Sequence, residues 1–507
     1  MIRSVRHIFR MFRLAAILAR HDALFPLARF AAAAPALWIA RLLWRKGTDG
    51  RPGERLALAL QDMGPSFIKL GQALSTRSDL LGEELSNDLA SLQDALPPFD
   101  GRMAQEIVEI ELGGDISNFF SEFDIRPVAA ASIAQVHFAT TTDGREVAVK
   151  ILRPDIERAF IRDIDFLKWI AEIIHSTQPA MRRLKPVEMV EKFERTSIME
   201  LDLRFEAAAC AELGENFTDD PDFHVPEVDW TRTSERVLTL ERVSGIAVDE
   251  RDALIAAGID PQKVLETSAR VFFQQVFRDG FFHADMHPGN VFVLPDGSIA
   301  PVDFGIMGRI DRRTQKFLAE MLIGFLSRDY RRVAEVHFAA GYVPAGQSKD
   351  DFAQAARSIA EPILGLPLSQ ISVARLLGQM FQVTETFRME AQPQLLLLQK
   401  TMLTAEGTGR KLNPSVNMWE LARPLIEQWM IDTVGPQARV RDTLEDIARR
   451  TPRLLDNAEK AVATLAGQGI RVHPDSMDWL SGGKRRSATP WALWVLIAVM
   501  AILVFVD

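Results

Sequence analysis

Residues 283–290 read His-Ala-Asp-Met-His-Pro-Gly-Asn, and residues 303–305, after a short predicted strand, read Asp-Phe-Gly. An aspartate, an asparagine five positions later and a second aspartate are the oxygen donors that phosphoryl transfer needs, because Mg²⁺ favours hard oxygen ligands. In this interpretation Asp285 faces the acceptor hydroxyl as a catalytic base. Asn290 and Asp303 then bind the metal ion. The two stretches predict a phosphotransferase centre.

The order of these motifs is that of a protein-kinase-like fold, but the loop departs from a protein kinase at Ala284, where an arginine is usual. That arginine contacts a phosphorylated activation segment. The chain also has no Ala-Pro-Glu after Gly305, and a helical pattern begins soon afterwards. Activity on peptides is therefore disfavoured. We expect His283 to support the loop by hydrogen bonding and His287 to stabilise its turn.

A lysine upstream of these loops is the second predicted catalytic residue. Residues 147–150 read Val-Ala-Val-Lys and follow a predicted hairpin turn. Lys150 at this place can bind the α and β phosphates of a nucleotide. Such a lysine needs a carboxylate partner, for which Glu200 is the first choice and Glu206 the second, since spacing alone does not decide. The alternative is that both glutamates lie on a solvated helix face.

An alanine-rich segment stands where kinases have a glycine-rich loop. Each alanine adds a Cβ and removes the positive-φ freedom of glycine, so this segment should be stiffer and hold a nucleotide differently. The alternative is a plain buried turn of small residues. The predicted cofactor-binding residues of the segment are Ala129, Ala130, Ala131, Ser132, Ile133, Ala134 and Gln135.

A further motif, Gly-Pro-Ser-Phe-Ile-Lys-Leu-Gly-Gln, occupies residues 64–72 and lies upstream of the predicted strands. Lys69 and Gln72 are three positions apart and so share one helix face. Composition alone describes a surface helix.

The chain of 507 residues is long enough for two or three domains, and hydrophobic periodicity divides it. The fold class predicted is α+β: a protein-kinase-like bilobal fold with an N-terminal helical KxGQ extension and a C-terminal transmembrane helix. A net charge of −9 argues against general nucleic-acid binding, and the single cysteine fits a reducing compartment. The predicted segments are a basic amphipathic membrane-proximal segment at 1–50, the KxGQ extension at 51–115, the small lobe at 116–245, the helical large lobe at 246–480 and a transmembrane anchor at 488–506.

Both ends of the chain suggest a membrane. Residues 490–506 carry no charge before Asp507 and follow Lys484-Arg485-Arg486. About 20 apolar residues cross a bilayer, and basic clusters stay on the cytoplasmic side. In the first 20 residues arginines recur at helical spacing, which indicates either a helix on anionic lipid or a basic helix packed on the fold. We expect the inner membrane, with the catalytic domain facing the cytoplasm.

Taken together, the motifs resemble those of the UbiB family of atypical kinases, which is tied to ubiquinone biosynthesis. The resemblance covers residues 60–310 and includes Lys69-x-Gly71-Gln72, the alanine-rich segment, Val-Ala-Val-Lys, Glu-Leu-Asp, the 283–290 loop and Asp-Phe-Gly. It implies a kinase-like fold whose KxGQ helices lie over the peptide cleft, so that Lys69, Gly71 and Gln72 gate the substrate. It also implies Mg²⁺ and ATP as cofactors, slow ATPase activity and a membrane-bound role.

Three functions compete at this point. The leading hypothesis is a kinase or ATPase that acts on, or is coupled to, a membrane lipid such as a polyprenyl quinone precursor, with other ubiquinone-biosynthesis proteins as partners. The second is an ATP-gated, non-catalytic scaffold of the biosynthetic complex. The third is a small-molecule kinase of the aminoglycoside-phosphotransferase type, against which the KxGQ helices count. The sequence indicates no nucleic-acid partner.

Overall fold

The computed structural model describes residues 2–25, 50–75, 82–90, 96–178, 185–363 and 393–415, together with a few isolated positions. Residues 431–507 lie outside the described part. The elements form a strand-rich lobe, a mainly helical lobe and a set of helices at the start of the chain.

The small lobe is built on an antiparallel sheet in the order β1-β3-β4-β5, with β2 paired to β3. Its β-branched, alternating segments form strands because one face is buried. Val147, Val149 and Ile151 of β4 face helix α5, whereas Lys150 lies on the opposite face. The strands are β1 (Phe120–Phe123), β2 (Ala129–Ala130), β3 (Ala134–Thr141), β4 (Glu146–Leu152) and β5 (Val237–Glu241), and α5 is Gly101–Leu112.

A tight turn joins β3 to β4 and sets the register of the strand that carries Lys150. Gly144 has a φ of 86°, which glycine adopts without a Cβ clash, and its N–H donates to the carbonyl of Thr141 at 2.9 Å. The register places Val136 opposite Lys150. The Asp143-Gly144 turn is therefore where the sequence predicted it.

Three helices follow the sheet: α6 (Ile156–Thr177), α7 (Pro186–Glu200) and α8 (Leu203–Asn216). Helix α8 buries Leu203, Ala207, Cys210 and Leu213, which recur at helical spacing and join the largest core cluster. Cys210, the single cysteine of the chain, is fully buried, and its Sγ lies 3.2 Å from the carbonyl oxygen of Pro226. Burial raises the pKa of the Cys210 thiol far above its ordinary value.

The start of the chain forms α1 (Ile2–Arg20), α2 (Pro52–Met63), α3 (Pro65–Ser75) and α4 (Glu83–Ala90). Helix α1 uses its apolar face against the protein: Ala15, Leu18 and Ala19 are buried, and His7 stacks on Trp169 of α6 at 5.3 Å between ring centroids. Arg10 forms an ion pair with the buried Asp163 of α6. Of the two alternatives for this helix, packing on the fold is the one observed for its apolar face.

The large lobe surrounds the two motif-bearing loops. Strand β7 pairs with β10, and β8 pairs with β6 and β9, which gives a short sheet on each side of the loop at 284–290. A π-helical turn at Gln274–Asp279 leads into β7. The strands are β6 (Ile246–Ala247), β7 (Phe281–His283), β8 (Val291–Val293), β9 (Ile299–Pro301) and β10 (Met307–Arg309); the helices are α9 (Arg251–Ala256), α10 (Pro261–Phe273), α11 (Arg312–Leu326), α12 (Tyr330–Ala339), α13 (Lys349–Ala360) and α14 (Pro393–Leu412).

The transmembrane part of the predicted fold class requires correction. Among the described residues no helix is long and apolar enough to cross a bilayer. A spanning helix needs about 20 largely uncharged residues, and the longest described helix, α6, has 22 residues but carries several charges, including Arg162, Asp163 and Lys168. For the described residues the class is corrected to a kinase-like bilobal fold with a helical extension and no transmembrane helix. Residues 488–506, where we predicted it, lie outside the described residues.

Candidate active site

Lys150 forms the centre of the site. Its Nζ lies 2.7 and 2.9 Å from the two carboxylate oxygens of Glu206 and 3.1 Å from Oδ2 of Asp303. The first-choice partner, Glu200, is therefore corrected to Glu206. Glu200 ends α7, and the chain turns through Leu201 and Asp202 before α8 begins, so the two glutamates lie on different helices and point to different partners.

The charges of this triad depend on one another. Burial by itself lowers the pKa of Lys150, but attraction to Asp303 and Glu206 outweighs it and raises that pKa above the ordinary lysine value. Burial would raise the pKa of Asp303, yet the Lys150 ammonium holds it well below the usual aspartate range. Burial keeps the pKa of Glu206 raised. Lys150 and Asp303 are thus both charged at neutral pH.

His283 fixes the first loop against the second. Its Nδ1 accepts a hydrogen bond from the N–H of Asp285 at 3.2 Å, so its Nε2 carries the proton that is donated to the carbonyl of Asp303. Burial lowers the pKa of His283, which keeps the ring neutral and this tautomer in place. Gln275, on the π-helical turn, accepts from the N–H of His283 at 2.8 Å. The loop-supporting role predicted for His283 matches these contacts.

Asn290 is held in a defined orientation close to Asp303. Its Nδ2 donates to the carbonyl of Asp285 at 3.3 Å, and its own carbonyl accepts from the N–H of Val302 at 2.9 Å. The amide oxygen Oδ1 of Asn290 is left as an acceptor. His287 stabilises the intervening turn, because its Nδ1 accepts from the N–H of Gly289 at 3.1 Å.

These oxygens suit Mg²⁺ bound together with phosphates. Among the residues described here, no group of three or more His, Cys, Asp or Glu side chains could hold a metal ion alone. Mg²⁺ is commonly bound by one or two protein oxygens and by the phosphates of its nucleotide. Asp303 and Asn290 are the residues that would hold it, and Lys150 would bind the phosphates. The donor set fits the predicted cofactor.

Asp285 has a partner that the sequence did not predict. Its Oδ1 lies 2.8 Å from Nζ of Lys400, on α14. The two residues are 115 positions apart, and neither spacing nor a local motif connects them. Lys400 follows a run of four leucines, and no motif in that part of the sequence marks it as a site residue. Only the tertiary structure reveals the contact.

The alanine-rich segment forms a turn that is fastened to its surroundings. Ala129 and Ala130 pair with β3, and the N–H of Ala131 donates to the carbonyl of Ala134 at 2.8 Å. Arg153 donates to the Ala131 carbonyl at 2.8 Å and to the Pro97 carbonyl at 3.0 Å. These bonds hold the segment against the chain that precedes α5.

Four of the seven predicted cofactor-binding residues in this segment are buried. Ser132, Ile133, Ala134 and Gln135 are buried, whereas Ala129 is exposed and Ala130 and Ala131 are half-buried. The Gln135 side chain accepts from the N–H of Phe99 at 3.0 Å and so serves the fold. The part of the segment that faces outward is therefore the alanine run, as the stiff-cover interpretation requires.

The KxGQ residues lie on α3, next to the end of α7. Nζ of Lys69 is 3.3 Å from Oε2 of Glu200, with both side chains largely buried. Gly71 is buried where a Cβ would collide with the Leu92 side chain, so glycine permits the close helix packing. Gln72 donates to the Leu92 carbonyl at 3.5 Å. Lys69 is thus the residue that engages Glu200.

The segment after Asp-Phe-Gly is very short. Gly305 donates from its N–H to Asp303 at 3.0 Å, β10 occupies Met307–Arg309, and α11 begins at Arg312. A peptide-docking activation segment has no room between Gly305 and Arg312. This arrangement agrees with the absence of an Ala-Pro-Glu motif.

The fold and this site define a kinase-like phosphotransferase of the atypical class. Residues 91–337 match the family model of the ABC1 atypical kinase-like domain, and residues 356–417 match the UbiB helical domain. The chain belongs to the UbiB family, as the resemblance predicted, and is a UbiB-type atypical kinase consistent with ubiquinone biosynthesis. Its kinase-like fold suggests the use of ATP and a metal ion in general.

Relatives support this assignment over nearly the whole chain. A probable protein kinase UbiB of Vibrio campbellii is 44% identical over 461 residues, which cover 90% of this chain and 84% of the relative. One of Vibrio atlanticus is 45% identical and covers 93% of this chain and 89% of the relative. A solved structure from Mycobacterium tuberculosis, the complex of Rv3197 with erythromycin, superposes with a TM-score of 0.52 at 26% identity, covering 73% of this chain and 95% of that one.

Proposed function

We propose that this protein binds Mg-ATP and supports ubiquinone biosynthesis by acting on, or being coupled to, a membrane lipid precursor. The observation that carries the proposal is the contact of Lys150 with both Glu206 and Asp303, which holds a phosphate-binding cation beside a metal-binding carboxylate. A lipid rather than a peptide is supported by the short chain between Gly305 and Arg312. It is also supported by the family resemblance, which implies that the KxGQ helix, tied to α7 through Lys69 and Glu200, covers the peptide cleft.

The test is Mg-ATP binding and turnover with and without vesicles that contain a polyprenyl phenol. We expect Mg²⁺-dependent binding by the full chain and faster turnover with the vesicles. Wild-type protein that shows no Mg²⁺-dependent nucleotide binding contradicts the proposal. Asp285→Asn protein should retain binding and lose turnover.

A second candidate is the ATP-gated scaffold. The ion pair of Asp285 with Lys400 favours it as well, because the pair ties the loop to α14 whether or not a phosphoryl group is transferred. If Asp285→Asn protein binds ATP and still sustains quinone production in cells that lack the wild-type chain, the scaffold is correct and the catalytic role fails.

The choice between the two glutamates gives a direct prediction. Glu206→Gln should weaken Mg-ATP binding about tenfold, because truncating one partner of a buried ion pair costs a few kcal/mol and Asp303 retains part of the attraction. Glu200→Gln makes the same change at a residue that contacts Lys69, and it should alter affinity less than about twofold. Nucleotide titration measures both. A larger effect at Glu200 contradicts the assignment.

We also propose that the protein acts at the cytoplasmic face of the inner membrane. The exposed side of α1 carries Arg6, Phe9, Arg13 and Arg20, at a spacing that aligns them along one face. Arginines beside an exposed aromatic ring are suited to an anionic lipid surface. Arg6 also pairs with Asp165 of α6 at 3.0 Å, whereas the buried residues Ala15, Leu18 and Ala19 lie on the other side of the helix.

Replacing both Arg13 and Arg20 with glutamine should therefore weaken binding to anionic vesicles. Each basic residue near such a surface contributes about 1 kcal/mol, so the loss should be about 30-fold at low salt. Co-sedimentation measures the partition, with neutral vesicles as the control. Arg158→Gln, at an exposed arginine on α6, is the matched variant. Unchanged partitioning of the double variant contradicts the surface role.

A further inference from the structure

The contact between Lys400 and Asp285 joins two separate domains of the family. Asp285 lies in the ABC1 atypical kinase-like domain, and Lys400 lies in the UbiB helical domain. Their side chains meet at 2.8 Å, with Lys400 40% and Asp285 33% exposed, so that both remain open to an incoming molecule. The helical domain therefore reaches the candidate catalytic carboxylate itself.

The helix that carries Lys400 is fixed along its length. Leu398 is buried in a cluster with Phe277, Phe282 and Ala284, and α14 packs against α10 and β10. At the other end of the helix Arg251 donates to the Leu412 carbonyl at 3.1 Å. Because this helix is fixed, the ammonium group of Lys400 has a defined place. A defined place is what is needed to hold the Asp285 carboxylate in one orientation.

Ala284 explains how this helix comes so close. Its side chain is fully buried in the same cluster as Leu398, directly before Asp285. A long charged side chain at this position would need the space that the cluster fills. The loop residue that departs from protein kinases thus belongs to the core that holds α14 in place.

The cations near Asp285 identify Lys400 as the residue that pairs with its carboxylate. Residues 283–290 contain no lysine or arginine. Lys150 is bound by Glu206 and Asp303. Within the described part of the chain, Lys400 is the cation in an ion pair with Asp285.

We propose that Lys400 is a positioning residue for Asp285: it holds Oδ1 of the carboxylate so that Oδ2 faces the acceptor. In the transfer, the acceptor oxygen bonds to the γ-phosphorus of ATP. The bond from that phosphorus to the β–γ bridging oxygen breaks, its electron pair stays on ADP, and the acceptor proton moves to Oδ2 of Asp285. This role rests on the proposed function and assigns the helical domain a part in it.

The test compares Lys400→Met, Lys400→Gln and Lys400→Arg in the full chain. We expect kcat of ATP turnover to fall about 10- to 100-fold in the first two, since small misplacement of a catalytic group has effects of this size. The KM for Mg-ATP should stay within about twofold, because Lys150 and Asp303 are untouched. Arginine should restore most of kcat. Lys411→Met is the matched control. Lys411 lies on the same helix as Lys400 and forms an exposed pair with Asp249, so its loss should leave kcat unchanged.

A second measurement separates positioning from a structural role. In an Asp285→Asn background Lys400→Met should cause no further loss of kcat, because residues that act as a unit are not additive. An unchanged or increased kcat in Lys400→Met, or an additive loss in the double variant, overturns the proposal. Failure of the wild type to bind Mg-ATP is a different result and contradicts the proposed function instead.

Discussion

Replacing Asp303 with asparagine is expected to weaken Mg²⁺-dependent nucleotide binding about a hundredfold, since a bound metal ion contributes several kcal/mol at such a site. The Lys150 ammonium holds the pKa of Asp303 well below its usual range, so wild-type Asp303 presents a full negative charge at neutral pH. Asparagine keeps the oxygen but removes that charge. Lys150 retains Glu206 as its partner, so the fold should survive the change.

Isothermal titration with Mg-ATP, and with ATP in the presence of a chelator, measures the effect. The loss should be confined to the metal-dependent part of the binding. Asp296→Asn is the matched control, because Asp296 is exposed in a turn where it accepts from Ser298. Wild-type affinity of Asp303→Asn protein for Mg-ATP would show that Asp303 does not bind the metal ion.

Restoring the arginine of ordinary protein kinases at Ala284 should be strongly destabilising. Ala284 is fully buried in a cluster of apolar side chains that includes Phe282, Ile310 and Leu398. An unpaired buried charge costs several kcal/mol, and the added volume must displace α14. We expect the free energy of unfolding to fall by at least about 3 kcal/mol.

Denaturant unfolding monitored by tryptophan fluorescence measures this loss. Ala256→Arg introduces the same side chain at an exposed position at the end of α9 and should change stability by less than about 0.5 kcal/mol. If Ala284→Arg is as stable as the wild type, the cluster does not fill the space beside the loop.

The residues that could be predicted from the sequence are those whose positions are fixed by local geometry. Lys150 lies on an alternating strand that follows an Asp-Gly turn, and Asp285 and Asn290 share one short loop. Such spacing is decided within a few residues, so the motif predicts the arrangement. The structure adds that the alternation of β4 puts Lys150 on the face opposite Val147, Val149 and Ile151.

The residues that could not be predicted depend on how helices meet. Glu200 and Glu206 are six positions apart, but a turn between α7 and α8 sends one to Lys69 and the other to Lys150. Sequence spacing does not describe such a turn. Lys400 is a stronger case, because its contact with Asp285 requires the packing of α14 on β10.

The burial of Cys210 gives the protein an internal reporter. This cysteine lies four residues after Glu206 on α8, so the helix cannot expose the thiol without disturbing the contact of Glu206 with Lys150. Because the chain has a single cysteine, the rate at which a thiol reagent labels the wild-type protein measures how often α8 opens. Comparing the labelling rate with and without Mg-ATP would then show, in the unaltered chain, whether a bound nucleotide changes how often α8 opens.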